Sequence, residues 1–159
     1  MLMRIFILSI VLALSGSSTS AASELLIITA KGSSEPHLNK KKIANIFLRE
    51  QLINQQGERW IPVNLSIHHP LREAFSETLF NQLPNQMDNF WNIKYFNGIS
   101  PPYVVKSQEA MLRFVASTPN AIGYILPCFV NDNVTVVFKL VLKTKVKFNV
   151  KDICRQHKR

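Results

Sequence analysis

Apolar and polar positions along this chain follow two periods, and each change of period marks an element. ELLIITA, Glu24 to Ala30, is an unbroken apolar run rich in β-branched residues that ends at Lys31-Gly32-Ser33-Ser34, the pattern of a buried strand entering a loop. The next segment, LNKKKIANIFLRE, switches to helical spacing, with Ile43, Ile46 and Phe47 on one face and Asn39 placed to cap it. After the turn NQQGERW comes WIPVNLS, a second strand, in which Pro62 predicts an irregular or edge position. Pro70 then suits the first turn of a helix, where no amide hydrogen is needed, and Leu71, Phe75 and Leu79 repeat every four residues.

A further helix is predicted from near Pro84, carrying Met87, Phe90 and Trp91, and the turn-rich FNGISPPYVV leads into a short extended piece. SQEAMLRFVAS is an amphipathic helix with Ser107 as N-cap and Met111, Leu112 and Val115 facing inward. AIGYIL and VTVVFKLVL complete the order as two strands. Strands alternating with helices predict an α/β fold with a small mixed sheet flanked by helices.

The first 22 residues stand outside this pattern. One early charge (Arg4), an apolar stretch from Ile5 to Leu14 and small residues up to Ala22 read as a cleaved secretory signal peptide, so the expected location is the periplasm. The expected organisation is 1–22 signal peptide, 23–140 folded domain and 141–159 basic extension. The charge of +9 is uneven: Ser23 to Phe138 holds 10 Lys or Arg against 9 Asp or Glu, whereas Lys139 to Arg159 holds 8 against 1. A near-neutral body gives no reason to expect nucleic acid, and any polyanion or membrane argument concerns the tail. There Lys143, Lys145 and Lys147 alternate with Thr144, Val146 and Phe148, predicting an amphipathic strand with one cationic face. Such a face either discourages edge aggregation or docks an acidic partner or anionic lipid. Cys128 and Cys154 are either two free thiols or a disulfide closing a 27-residue loop, at a gain of about 3 kcal/mol.

The stretch SIHHPLREAF, Ser66 to Phe75, is the one place where chemistry concentrates. Adjacent histidines diverge on either a strand or a helix, and the spacing of zinc hydrolases is absent, so no metal or other cofactor is expected. No nucleophile elbow or paired carboxylates appear, and no catalysis is expected. A strand ending at Ser66 and a helix starting near Pro70 would instead aim amides at an anion, with Ser66, His68, His69 and Arg72 adding donors. The plainer account of the same residues is a surface loop whose histidines cap the helix.

HHPLREAFSETLFNQLPNQMDNFWNIKYFNG, then PP, then SQEAMLRFVASTPNAIGYI resembles the small exported relatives of the phosphate-binding subunit of ABC transporters. The resemblance runs from about Glu24 to Leu140 and includes KKIANIFLRE against their I-F-L-G helix. It implies a single lobe like that of a type 2 periplasmic binding protein. Where the family has an Arg and a Gly-Ser-Gly-Thr turn, this chain has Ser66, His68-His69 and Pro70-Leu71. The implied partners are a small anionic solute such as phosphate and a membrane transporter or envelope protein, with pairing of two copies as a further option. The alternative function is a scaffold or interaction protein of the cell envelope that keeps the fold and binds no solute. In TPNAIGYI, Asn120 is expected to hold a left-handed turn and Gly123 to permit close approach of another backbone.

Overall fold

The computed structural model describes residues 23–33 and 38–157; the signal peptide assigned to 1–22 lies outside them, as does His37. The elements follow in the order β1 (Glu24–Ala30), α1 (Lys40–Phe47), β2 (Ile61–Leu65), α2 (Pro70–Phe80), α3 (Asp88–Phe96), β3 (Tyr103–Val105), α4 (Gln108–Ser117), β4 (Ala121–Ile125), β5 (Val134–Val141) and α5 (Val150–His157). Short 3-10 turns at Pro84–Met87 and Pro127–Phe129 precede α3 and β5. Among the described residues no helix is long and apolar enough to cross a membrane.

The five strands form one mixed sheet in the order β3-β2-β4-β1-β5. β2 runs parallel to β3 and β4, whereas β1 is antiparallel to both its neighbours. β1 is covered on both faces, which is why it reads as a continuous apolar run: Leu25, Ile27 and Ile28 are fully buried and Leu26 nearly so. The helices divide between the faces. Tyr124 of β4 stacks on Phe75 of α2 with ring centroids 3.9 Å apart and lies 6.0 Å from Phe47 of α1. Its neighbour Gly123 points the other way, onto Met111 and Val115 of α4. Helices α1 and α2 therefore cover one face and α4 the other.

The caps fall where the side chains predict them. Asn39 accepts from the Lys42 amide at 2.8 Å and Ser107 from the Ala110 amide at 3.2 Å. Asn120 takes φ 61°, the left-handed turn expected of it. Three expectations need correction. Pro62 does not lie on an edge strand, because β2 has partners on both sides. Ile61 donates to the Asn120 carbonyl on the β4 side, so the nitrogen of Pro62 faces β3, whose pairing starts only at Val63. Gly123 makes room for the Met111 and Val115 side chains of α4, not for a backbone.

The third correction concerns the tail. Residues 142–149 keep the predicted alternation, with lysines exposed and intervening residues half-buried, yet they join no sheet. Side chains of α2 take the place of a partner strand. Thr78 Oγ1 accepts from the Lys143 amide at 3.0 Å and donates to its carbonyl at 3.3 Å. The Glu77 carboxylate accepts from the Thr144 hydroxyl and the Lys145 amide, which hold its pKa below the usual range. The chain then turns into α5, which is pinned by a Cys128–Cys154 disulfide with Cα atoms 5.8 Å apart and by stacking of His157 on Phe129.

Two outcomes are expected. Gly123→Ala should cost about 1–3 kcal/mol in urea unfolding, because a Cβ would overlap Met111 and crowd Val115, and the same substitution should cost less in a chain that already carries Met111→Ala. Reducing the disulfide should lower stability by up to about 3 kcal/mol, following the 26-residue separation of its cysteines.

Candidate functional site

Two adjacent parallel strands, β2 and β3, send their following helices to opposite faces of the sheet: α2 to the Tyr124 face and α4 to the Gly123 face. Chains that part in this way leave a crevice at the carboxyl ends of the strands, where open α/β sheets bind ligands. Leu65 pairs with Val105, so Ser66 and Lys106 emerge as the two lips. Lys106 is an exposed cation that motif reasoning passed over. Its signal was only positional, one residue beyond a strand whose pairing the sequence does not announce.

The four residues singled out from the sequence do not converge. Ser66 is half-buried and its carbonyl accepts from the His69 amide at 3.0 Å, closing the turn. His68 is exposed at the tip. His69 is the N-cap of α2, and its Nδ1 accepts from the Leu71 amide at 3.2 Å. The Arg72 and Glu73 amides both donate to the His69 carbonyl, at 2.8 and 3.1 Å, and Pro70 has no amide hydrogen. The first turn of α2 is thus satisfied within itself. Burial also holds the His69 pKa below its ordinary 6.5, which favours the neutral ring that can accept a hydrogen bond.

Arg72 turns inward and is 7% exposed. Its Nη1 donates to Asn64 Oδ1 at 2.6 Å, and the Tyr124 hydroxyl is near enough to favour its charged form. The same hydroxyl accepts from the Leu65 amide at 3.2 Å. Burial disfavours the charged guanidinium and Tyr124 works in the opposite sense, yet an arginine keeps its proton in a protein. A full positive charge is therefore held beneath the crevice by neutral dipoles. Cavities of about 560 and 350 Å3 lie elsewhere, one between the start of β1 and α5 and the other between the ends of β1 and α4, and neither is lined by the turn. Among the described residues no group of three or more His, Cys, Asp or Glu is placed to hold a metal.

Solved structures of similar shape include three transport-related binding proteins. The chain superposes on a protein from Clostridium perfringens described as a phosphate ABC transporter substrate-binding protein, with bound phosphate, at TM-score 0.58 and 19% identity over 73% of this chain and 45% of that one. An ABC-type phosphate transport receptor from Vibrio cholerae gives 0.58 and 15% over 73% and 46%, and PstS from Borrelia burgdorferi gives 0.54 and 15% over 86% and 53%. The fold is that of a periplasmic binding protein. The chain spans about half the length of these binding proteins, the extent of a single lobe. No protein-family model matches the sequence, and no curated protein sequence matches it either.

The His69 cap makes a pH-dependent contribution with a definite sign. In the unfolded chain His69 takes up a proton near pH 6.5, whereas the folded chain resists it, so stability is lost as pH falls below that value. His69→Ala should cost about 1 kcal/mol at pH 7, and His69→Asn, which caps well at any pH, should cost less and flatten the difference between pH 7 and pH 5. Thermal unfolding of wild type and both variants at the two pH values reads this out.

Proposed function

We propose that this chain is a solute-binding-like protein, exported to the periplasm through the cleaved signal peptide, that holds a small phosphate-like anion at the carboxyl ends of β2 and β3 without catalysis. The observation that carries the reading is the crevice between diverging helices, with the buried Arg72 charge beneath it and no carboxylate among that guanidinium's partners. Ser66, His68 and Lys106 are the groups left to touch the anion. His69 keeps its Nδ1 for the cap, and Arg72 acts through its field, because displacing Asn64 would leave a buried acceptor unpaired. The disulfide fits an oxidising compartment, and the binding-protein neighbours make a membrane transporter the natural partner. This lobe presents one wall of a cleft, and a second copy or an envelope protein is the partner proposed for the other.

A second reading has its own support. The spent amides of α2 favour a scaffold that keeps the fold for an envelope partner and binds no solute. Calorimetric titration with inorganic phosphate at pH 7 separates the two. Saturable binding that Lys106→Gln, Ser66→Ala or His68→Ala each weakens by about 1 kcal/mol supports the anion site. Absence of saturable binding in the wild type supports the scaffold.

A further inference from the structure

A second basic site lies at the amino-terminal ends of β2 and β3, the opposite end of these strands from the crevice. It is a depression of about 400 Å3 walled by the α1–β2 connection, by Pro62 and by the Gly98–Tyr103 approach to β3. Two guanidinium groups line it, those of Arg49 and Arg59, and no carboxylate does. The acids next to them in sequence are turned elsewhere: Glu50 lies 4.0 Å from the Lys94 ammonium, and Glu58 accepts from the Asn54 amide at 3.3 Å.

Arg49 is held in place rather than free. It sits at φ 59°, in the left-handed region that favours glycine, and its Nη1 donates to the Trp60 carbonyl at 2.9 Å. Its Nε is buried and has no hydrogen-bond partner. Buried donors are paired as a rule, so this group is held under strain beside the depression, and its terminal nitrogens are the ones a ligand there would meet. Burial first, and then the positive charge of Arg59, lower the Arg49 pKa, with Tyr103 acting in the opposite sense, and no carboxylate lines the depression beside the two cations. The remaining wall combines Leu52, Pro62, Ile99, Pro101 and Pro102 with Gly98, Ser100 and Tyr103.

We propose that this depression binds a small organic carboxylate with an apolar body, the carboxylate bridging Arg49 and Arg59 and the body lying against Pro62, Pro101 and Pro102. A guanidinium fork matches the two oxygens of a carboxylate, and two forks in one cavity fix its orientation. Its volume is within the range of small-molecule sites, and inorganic phosphate would leave the proline wall uncovered. The inference does not rest on the anion crevice at the other end of the strands.

Titration of the full exported chain, disulfide intact, followed by amide chemical shifts, tests it with benzoate, acetate and inorganic phosphate as probes. Benzoate should saturate, shift the amides of Gly98 to Tyr103, and bind about 10-fold more tightly than acetate or phosphate at these same amides. Arg59→Gln, at an exposed position, should weaken benzoate about 10-fold, and Arg113→Gln, an exposed arginine on α4, should not change it. The proposal is overturned if benzoate shows no saturation up to about 50 mM. It is equally overturned if the shifts map to Ser66–Arg72, if phosphate binds at Gly98–Tyr103 as tightly as benzoate, or if Arg113→Gln weakens benzoate as much as Arg59→Gln.

Discussion

A guanidinium buried without a carboxylate has to be held by neutral dipoles, and in this lobe that requirement organises the sheet. Arg72 reaches from α2 to Asn64 on β2 and Tyr124 on β4, so one side chain ties a helix to two strands. Tyr124 in turn meets the Leu65 amide with its hydroxyl and stacks on Phe75 with its ring. Its polar end is fully buried, and accepting from these donors offsets part of the cost of taking its oxygen out of water. Losing any one member leaves the others unpaired in the core, which makes the group far more cooperative than its few hydrogen bonds suggest.

The same strands carry opposite arrangements at their two ends. Where β2 and β3 finish, the helix start is capped by His69 and its amides are consumed locally, so positive potential reaches the crevice from the buried Arg72 and the exposed Lys106. Where they begin, the cations stand at the surface of a depression and one of their donors has no partner. The binding-protein fold accounts for the first end, since parallel strands feeding helices on both faces create it wherever the fold occurs. The second end depends on what this sequence places in its connections, above all an arginine at a left-handed position where the pattern it resembles has glycine.

Much of the fold was legible in the sequence because it is written in local chemistry. Asn39 and Ser107 cap helices through their own side chains, Pro70 suits a first turn wherever it occurs, and the apolar run of β1 needs only burial on both faces. Long-range pairing was less legible. Nothing in ELLIITA says that the strand runs against its neighbours, and nothing around Pro62 says that β3 begins one residue too late to need its amide. The tail had the right alternation and the wrong partner, because Glu77 and Thr78 mimic a strand edge with side chains. At the crevice the sequence singled out the turn between β2 and α2 but could not orient its side chains. Whether an arginine at the third position of a helix points to solvent or to the core depends on Asn64 and Tyr124, which lie 8 residues before it and 52 after it.

The disulfide also decides how the lobe carries mechanical load. β1 and β5 are antiparallel, with Glu24 opposite Val141 and the Leu142 amide bonded to the Ser23 carbonyl, so the start of one strand adjoins the end of the other. Tension between the two chain ends would then open this pair from one end, a bond or two at a time, the geometry of a zipper and the weakest way to load a sheet. With Cys154 joined to Cys128, tension entering through the carboxyl end passes across the sulfur atoms to the residue just beyond β4, bypassing the tail and β5. The covalent path from Cys128 leads back into the end of β4, where Ile125 lies opposite Leu26 near the start of β1, so this pair would also part from one end, but in the interior of the sheet. Oxidised, the lobe is loaded through its centre; reduced, it is loaded from its edge.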